Sequence, residues 1–329
     1  MVGGDAGNPF ASDGEWLRAA LHTHTNASDG DLAPEAHVLH HEWAGFDVVA
    51  ITDHWTLTRV PSRRHILVLP GAELAVDPTD KGRDFEILAV GIREIPDDPG
   101  GDRAFWRRIG NYDFRTFADY ATAAGWIGAQ GGVSYVCHPS WSGLPTEVVL
   151  AADGVTGIEL FNASGERDCG RGDASYVWDL ALDAGRRMHA IATDDTHYPG
   201  FDIGDGWTMV RAADRSEAAV LDALRRGATY ASSGPEILHV ERDGDVFEVR
   251  CSPAASVILQ SRYESGWSVR ADHRGRQESA RILERDDRGL VTRASFAPVL
   301  EGGLPYGRVV VVDERGRKAW TNPIGEVRP

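Results

Sequence analysis

The sequence is poor in cysteine and has no long uninterrupted run of apolar residues. Only three cysteines occur in 329 residues, and their spacing fits neither a disulfide framework nor a paired zinc-binding motif. The segment Met1–Asp5 has neither the basic nor the apolar region of a secretory signal, and no stretch is long enough to span a bilayer. We therefore expect free thiols, a cytoplasmic location and no membrane partner.

Positive charge is also scarce. Lysine and arginine number 34 against 50 acidic residues, which gives a net charge of -16 at pH 7. This balance argues against binding to a nucleic-acid scaffold, because a phosphate backbone is held by a basic surface. It does not exclude a small phosphorylated substrate, since bound cations can reverse the local field in an acidic protein. The expected partner is a small-molecule substrate, and the sequence leaves the oligomeric state open.

Three familiar catalytic motifs are missing. The chain contains no Gly-x-Ser-x-Gly elbow, no Gly-x-x-x-x-Gly-Lys loop and no Gly-x-Gly-x-x-Gly fingerprint after a strand. Their absence argues against a serine hydrolase of the elbow type, a P-loop enzyme and a dinucleotide-binding enzyme. If the protein is an enzyme, its chemistry must come from other side chains.

Apolar β-like runs alternate with helical patterns from about residue 17 to residue 233. The predicted strands are Leu17–Leu21, Asp47–Thr52, Ile66–Leu69, Glu86–Val90, Val133–Cys137, Gly157–Phe161, His189–Thr193 and Trp207–Arg211. Their near-continuous apolar character is typical of parallel strands buried on both faces. The predicted helices are Pro34–Phe46, Asp113–Gly125, Ala174–Gly185 and Ser216–Gly227. This alternation favours a (β/α) barrel over an open sheet, although periodicity alone does not separate the two.

The pattern changes after the turn or hinge Ala231–Pro235. The stretches that follow are short and alternating, namely Ile237–Glu241, Val246–Cys251, Ser256–Gln260, Gly289–Pro298 and Arg308–Asp313. They are separated by turn signals such as Asp-Gly and contain no clear helical pattern. We therefore predict an α/β barrel domain over residues 1–234 and a small antiparallel β domain over residues 235–329.

Histidines and carboxylates gather at the carboxyl ends of the predicted strands. In an extended segment alternate side chains point the same way, so His22 and His24 present two imidazoles to one point. The candidates in chain order are His22, His24, Asp29, Asp53, His54, Glu73, Glu86, His138, Glu159, Asp194, Asp195 and His197. In a barrel these strand ends form the catalytic face. Imidazole with carboxylate suits Zn, Mn or Fe, so the pattern predicts a metal site.

A hydrolytic site is the natural interpretation of such a ligand set. Two or three divalent metal ions about 3.5–4 Å apart can bridge a water, lower its pKa and stabilise charge that develops on the substrate. The protein then needs no serine or cysteine nucleophile, which agrees with the missing motifs.

At these residues the sequence resembles the PHP (polymerase and histidinol phosphatase) family of metal-dependent hydrolases. The matching motifs are His22–Thr25 with Ser28–Gly30, Thr52–His54, Pro70–Glu73, His138–Pro139 and Asp195–His197, within roughly residues 10 to 233. Three further segments resemble the CehA/McbA-type branch of that family: Gly157–Asn162, Tyr306–Val311 and Ala319–Ile324.

The resemblance implies a distorted seven-stranded (β/α) barrel with the site at its carboxyl-terminal mouth. It further implies three metal positions: one held by His22, His24, Glu73 and Asp195, a second by Glu73 with His138, and a third by Asp29, His54 and His197. One departure concerns the second position, where many relatives have a histidine and this chain has Glu86 or, in another alignment, Asp84. A carboxylate there would still ligate, but it would make the site harder and more negative.

Several neighbours of the ligands receive secondary roles. We expect Asp53 and Asp194 to orient His54 and its neighbours, because ligating imidazoles usually donate their other N–H to a carboxylate or carbonyl; the alternative for Asp53 is helix capping. Asn162 would polarise a substrate oxygen or act as a cap. Trp55 and Trp141 would line the pocket or pack as ordinary apolar rings.

Two further sets have open roles. Basic residues that could meet a substrate phosphate are Arg59, Arg63, Arg64, Lys81, Arg167 and Arg171. Tyr198 is either a proton donor or a wall residue. The leading hypothesis is hydrolysis of a small phosphate ester, in which case the pocket floor would be basic. The alternatives are a carbamate or carboxylic ester hydrolase, with an apolar floor of tryptophans, and an inactive metal-binding or regulatory module.

Overall fold

The computed structural model of the protein describes residues 7–76, 85–96, 117–272 and 278–328. Nine strands precede the Ala231–Pro235 turn or enter it. They are β1 (Glu15–Ala20), β2 (Val48–Ile51), β3 (Leu67–Ala75), β4 (Glu86–Val90), β5 (Val133–Val136), β6 (Gly157–Asn162), β7 (His189–Thr193), β8 (Trp207–Ala212) and β9 (Thr229–Ser232). The eight predicted strands are present, and β3 runs past its predicted end to include Glu73. The ninth, β9, was not predicted.

The helices of the described residues lie mainly between these strands. They are α1 (Pro34–Trp43), α2 (Tyr120–Ala129), α3 (Pro139–Ser142), α4 (Thr146–Leu150), α5 (Ala163–Cys169), α6 (Ser175–Asp183) and α7 (Glu217–Arg226), with a short 3-10 turn at Pro9–Ala11. Helix α2 begins at Tyr120, where Asp119 caps it by accepting a hydrogen bond from the Thr122 N–H at 2.7 Å. The start predicted at Asp113 lies outside the described residues.

The C-terminal segment is built of strands, as predicted. They are β10 (Ile237–Asp243), β11 (Val246–Ala254), β12 (Ser256–Gln260), β13 (Gly266–Arg270), β14 (Ala280–Arg285), β15 (Val291–Phe296), β16 (Tyr306–Val312), β17 (Lys318–Thr321) and β18 (Ile324–Gly325). Strands β10, β11, β15 and β14 form a separate four-stranded antiparallel sheet. Its apolar face contributes Phe247 and Phe296 to a buried cluster that also contains Val309 of β16.

Not every strand of the α/β part is parallel to its neighbours, which corrects the sequence interpretation. The parallel pairs are β1–β2, β2–β3, β5–β6 and β6–β7, whereas β4 is antiparallel to both β3 and β5, and β8 is antiparallel to β1. The connection from Ala75 to Glu86 is too short for the crossover that a parallel pair needs. A strand buried on both faces has the same apolar pattern in either direction, so the sequence did not reveal this reversal.

The first and seventh strands approach each other at one end. Thr23 and Thr196 form a parallel bridge, in which the His24 N–H donates to the Thr196 oxygen at 2.8 Å. The bridge joins the segments that follow β1 and β7, where the histidine and aspartate motifs lie. The observed architecture is a mixed α/β fold, and closure into a (β/α)7 barrel stays a prediction.

The C-terminal strands are joined to the α/β part through β9. This strand pairs with β8 on one side and with β17 on the other, so β17, β16, β12 and β13 continue the large sheet. The boundary at residues 234 and 235 stays a prediction, because backbone hydrogen bonds run across it. Among the residues that the structure describes, no helix has the length and apolar character needed to cross a bilayer.

Candidate metal centre

The predicted ligands converge at one edge of the large sheet. His22 and His24 follow β1, His54 follows β2, and Glu73 lies near the end of β3. Glu86 stands at the beginning of β4, which runs in the opposite direction, so its amino end lies at the edge where the other strands end. The set is completed by three residues that follow β5 and β7, namely His138, Asp195 and His197, and by Asp29 in the loop after β1.

Four of these residues surround the first predicted metal position. Glu73 Oε2 lies 2.9 Å from His22 Nε2 and 3.2 Å from His24 Nε2. Asp195 Oδ1 lies 3.4 Å from His22 Nε2 and 3.2 Å from His24 Nε2. Ligand atoms that are each about 2.0–2.2 Å from one metal ion are about 3.0–3.5 Å from each other. The four carboxylate–imidazole distances therefore match the spacing within a coordination shell.

Two atoms of this group indicate whether the four residues fit a metal ion. His24 Nε2 and Asp195 Oδ1 are buried, and neither has a hydrogen-bond partner of acceptable geometry among the described residues. Buried polar atoms are almost always hydrogen-bonded, and an exception requires a reason. A cation between these two atoms would satisfy both, so the donor set fits a metal ion.

The second predicted position lies around the other oxygen of Glu73. Glu73 Oε1 is 3.0 Å from His138 Nε2, and Glu86 Oε2 is 3.6 Å from the same nitrogen. Glu86 Oε1 is 3.4 Å from His54 Nδ1, and the Glu86 side chain is buried. The carboxylate thus lies inside the cluster, while the alternative ligand Asp84 lies outside the described residues.

The third predicted position lies toward the opening. Asp29 Oδ2 is 3.5 Å from both His54 Nε2 and His197 Nε2, and Asp29 Oδ1 is 3.5 Å from His24 Nδ1. The loop that carries Asp29 turns tightly at Gly30, where a Cβ atom would come within 2.2 Å of the His24 oxygen. Only glycine fits that position, which explains its place after Asp29.

The charges of the cluster shift one another's pKa values. Burial alone would lower the pKa of His22, but the carboxylates of Asp195 and Glu73 raise it well above its usual range. Burial would raise the pKa of Glu73, yet His22 and His54 hold it well below its usual range. The pKa of His197 rises to about 9, since Asp29 and Asp195 outweigh its burial. The carboxylates thus favour protonated imidazoles, and a bound cation would replace those protons.

Glu159 in β6 proves to be the main partner of the ligands. Its Oε1 is 2.7 Å from His22 Nδ1 and accepts a hydrogen bond from the Thr193 hydroxyl at 2.8 Å. Its Oε2 accepts the backbone N–H of His138 at 2.8 Å. Glu159 is one of the candidates at the predicted strand ends, but no role was predicted for it. The sequence signal for this role was the position of the carboxylate in a predicted strand whose neighbours are apolar.

Asp53 and Asp194 act on loops rather than on imidazoles, which corrects the expected contact with His54. Asp53 accepts hydrogen bonds from the Thr25 N–H at 2.6 Å, and from the hydroxyls of Thr25 and Ser28 at 2.8 Å. Asp194 accepts three backbone N–H groups, from residues 204 to 206, at 2.7–2.8 Å. Both carboxylates therefore shape loops that carry or follow ligands.

Asn162 caps a helix in this structure. Its Oδ1 accepts the Gly165 N–H at 2.8 Å at the start of α5, and its Nδ2 lies 3.2 Å from carboxylate oxygens of Glu159 and Asp195. Of the two roles expected for Asn162, the structure shows the cap. Its amide also holds the Asp195 carboxylate in place.

Backbone strain is concentrated at the centre. Among the described residues, four that are not glycine have positive φ, and three belong to this region: Trp55 at 46°, His138 at 24° and Asp195 at 53°. Such conformations cost about 1–3 kcal/mol each and persist where the surrounding structure enforces them. These conformations therefore lower the stability of the fold, and they orient the side chains of His138 and Asp195 toward the cluster.

A cavity of about 360 Å³ opens over the ligands. Its walls include Trp141, Arg167, Tyr198 and Phe201, together with the cluster itself. Carboxylates and imidazoles of the cluster line the cavity together with Trp141 and Arg167, so the floor favours neither of the two hydrolase hypotheses. Trp55 stacks on Phe117, with 6.2 Å between ring centroids, and packs against the core. The volume suits a small molecule.

The other basic candidates have different surroundings. Arg59 donates to the Arg93 oxygen at 2.6 Å, and Arg63 pairs with Glu42 at 2.6 Å. Lys81 lies outside the described residues. Among the basic candidates that the structure describes, Arg167 is the one that lines the cavity.

No protein-family model matches the sequence, and no curated protein matches it. Among solved structures, the chain is similar to a two-domain protein from Bacteroides vulgatus that contains a predicted PHP-like metal-dependent phosphoesterase, with 16% identity, 91% of each chain covered and a TM-score of 0.49. It is also similar to an amidohydrolase from Chromobacterium violaceum, with 20% identity, 56% of this chain and 89% of that chain covered, and a TM-score of 0.42. These values are low, so the assignment below rests on side-chain geometry.

Proposed function

We propose that the protein is a metal-dependent hydrolase that cleaves small phosphate monoesters. The observation that carries this proposal is the convergence of buried ligand atoms around Glu73, including His24 Nε2 and Asp195 Oδ1, for which hydrogen bonds do not account. The cavity above them gives a small substrate access. We also propose that strands of the α/β part close into the (β/α)7 barrel of the PHP family, which would hold the ligands.

The nitrogen and oxygen ligands suit Mn, Fe or Zn at two or three positions. Divalent ions held this way would supply an activated water and neutralise the charge that develops on a phosphoryl group. Glu73 would serve two positions, because its two oxygens face different histidines. Glu86 would complete the second position, and Asp29 with His54 and His197 would form the third.

The residues of the chain prepare the imidazoles for this task. The Glu159 carboxylate only accepts, so His22 would keep its proton on Nδ1 when a cation replaces the proton on Nε2, and the Nε2 lone pair would then face the position beside Glu73 and Asp195. The Asp195 backbone oxygen, 2.9 Å from His197 Nδ1, fixes the same tautomer in His197. Two ligands thus have their metal-facing nitrogen set by an outer partner.

Arg167 supports a phosphorylated substrate. Arg167 lines the cavity, and its guanidinium lies 2.8 Å from Asp205 Oδ2 and 5.5 Å from the centroid of the Phe201 ring. A planar guanidinium binds phosphoryl oxygens through paired hydrogen bonds. We propose that it holds an oxygen of the phosphoryl group that the metal ions do not bind.

A second candidate is hydrolysis of a carbamate or carboxylic ester of the CehA/McbA type. Trp141, Tyr198 and Phe201 give the cavity a wall that would accept a neutral aromatic group. Trp141 stands edge-on to His138, with 5.0 Å between ring centroids. A neutral ester would gain less from Arg167 than a phosphate would, and this difference separates the two candidates.

The test is a substrate panel with one shared aryl leaving group. Anaerobically purified, Mn-reconstituted protein is assayed with the phosphate monoester, phosphodiester, carboxylic ester and N-methylcarbamate, beside the His22→Ala and Arg167→Met variants. We expect monoester hydrolysis that His22→Ala abolishes and that Arg167→Met impairs by about tenfold or more in KM. Cleavage of the carbamate or carboxylic ester alone, unaffected by Arg167→Met, would establish the second candidate. Inactivity of a Mn-loaded protein toward every substrate would favour the binding module.

A further inference from the structure

The C-terminal segment reaches the metal centre through a short chain of polar contacts. Lys318 Nζ in β17 lies 2.7 Å from Asp173 Oδ2, in the loop between α5 and α6. The backbone oxygen of Asp173 accepts a hydrogen bond from Ser140 Oγ at 2.8 Å. Ser140 lies two residues after His138, in α3. These contacts link a strand of the C-terminal segment to the loop that carries a predicted ligand.

His138 requires support from its surroundings because its backbone has a φ of 24°. Its N–H donates to Glu159 Oε2 at 2.8 Å, and its oxygen accepts the Ser142 N–H at 3.0 Å. The first bond holds the start of the turn, and the second lies within the turn itself. The hydrogen bond from Ser140 to Asp173 ties the body of α3 to a neighbouring segment.

The Asp173 carboxylate is held from two sides. Its Oδ1 accepts the Ser175 N–H at 2.8 Å, which fixes it to the start of α6. Its Oδ2 meets the ammonium group of Lys318. The backbone of Lys318 is anchored in turn, since its N–H donates to Ser233 Oγ at 2.9 Å and its oxygen accepts the Ser233 N–H at 2.8 Å. The ammonium group that meets Asp173 therefore extends from a strand, β17, whose backbone is held in place.

We propose that Lys318 is a positioning residue for His138, acting through Asp173 and Ser140. The C-terminal segment thereby sets the affinity of the second metal position, formed by Glu73, Glu86 and His138. This inference rests on the proposed function, because it needs a metal ion at that position. Loss of the ammonium group removes the contact on one side of the Asp173 carboxylate, while the Ser175 N–H keeps the contact on the other. The link from Asp173 through Ser140 to α3 is then weaker. Because Ser142 Oγ in α3 lies 2.9 Å from His138 Nδ1, the imidazole is directed less firmly.

The test is a titration with Mn²⁺ alone, followed by the electron paramagnetic resonance signal of the free ion. Changes in direct outer partners of ligands weaken metal binding about 10–100-fold. Lys318 acts two contacts further away, so we expect Lys318→Met to weaken one Mn²⁺ site about fivefold, with unchanged stoichiometry at saturation. Lys318→Arg should stay within about twofold of the wild type. Arg288→Met, which removes an exposed cation of the Arg288–Glu314 pair, should have no effect.

A double-mutant comparison shows whether the effect passes through His138. In a His138→Ala background, Lys318→Met should cause no further loss of Mn²⁺ affinity. Asp173→Asn provides a second break in the same chain of contacts if Lys318→Met fails to fold. Wild-type affinity in both variants, an equal loss in Arg288→Met, or a full additional loss in the His138→Ala background would overturn the inference. A wild-type protein that binds no Mn²⁺ would instead overturn the proposed function.

Discussion

Close pairs of opposite charge at the candidate metal centre and on the four-stranded sheet differ in their surroundings. At the metal centre Glu73 and Asp195 are buried among histidines, 2.9–3.4 Å from His22 Nε2. On the four-stranded sheet Arg293 lies 2.6 and 2.8 Å from Glu248 and Glu284, with side chains that water reaches. The distances are alike, but only the buried groups have lost their hydration.

The distance between two opposite charges therefore does not by itself show whether the pair stabilises the fold or belongs to a binding site. Solvent screens the exposed pairs, so each contributes little to stability. A buried carboxylate without a partner is costly, so the cluster must hold either protons or metal ions.

The largest effect is expected when Glu73, which contacts histidines of two predicted metal positions, loses its charge. Glu73→Gln keeps the shape of the side chain but removes the charge that faces His22 and His138. We expect Mn²⁺ affinity to fall more than about a hundredfold, since even outer partners cost 10–100-fold. Metal content is measured by mass spectrometry after gel filtration. Glu314→Gln on the exposed surface is the matched control, and equal metal content in the two variants would contradict the assignment.

Glu159→Gln should have the next largest effect. The amide no longer enforces the Nδ1 tautomer of His22, because its NH₂ group can donate where the carboxylate could only accept. We expect Mn²⁺ affinity about 10–100-fold below that of the wild type, measured by the same titration. Wild-type affinity would show that Glu159 has only a packing role.

The pH dependence of stability should distinguish the metal-free from the metal-bound protein. The pKa of His197 in the folded state is about 9, above its unfolded value of about 6.5. Its contribution is therefore complete below pH 6.5 and is lost as the pH rises toward 9. Mn²⁺ needs deprotonated imidazoles, so the stabilisation it provides should grow over the same interval.

Thermal unfolding in EDTA and in Mn²⁺ at pH 6.5, 7.5 and 9 measures this effect. The Tm of the metal-free protein should fall with pH, and the difference between the two samples should widen. A constant difference would mean that protons and Mn²⁺ do not compete for the cluster.

The smallest change is expected at the exposed surface. Arg288→Met breaks the 2.7 Å contact with Glu314, in which more than half of each side chain is accessible to solvent. Exposed ion pairs contribute about 0–1 kcal/mol, so Tm should move by less than about 2 °C. A larger loss, or any loss of bound Mn²⁺, would show that this surface is coupled to the metal centre.

Much of the fold was available from the sequence because buried strands are apolar and end at polar residues. The strands that precede the ligands, such as Val48–Ile51 and Val133–Val136, follow this pattern. The reversal of β4 was not available, because direction leaves no mark on a run such as Glu86–Val90. Strand β9 was missed because Thr229–Ser232 is short and lies beside a turn signal.

The ligand set was predictable for a similar reason, since strand ends at one edge must meet. The roles of outer carboxylates were not, because they depend on where loops fold back. Asp53 adjoins His54 in sequence but binds Thr25 and Ser28 in space. Glu159 lies far along the chain from His22, yet it contacts His22 Nδ1. Sequence proximity was therefore a poor guide to these contacts.

The bridge between Thr23 and Thr196 also has a consequence for the order of folding. It joins segments separated by most of the α/β part of the chain, and the His24 N–H makes one of its bonds. Contacts between residues so distant in sequence form slowly, because the loop between them must first be closed. The imidazoles that follow β1 meet Asp195 only after that event. During refolding, uptake of a tightly bound cation would therefore mark a late step of assembly rather than an early nucleus.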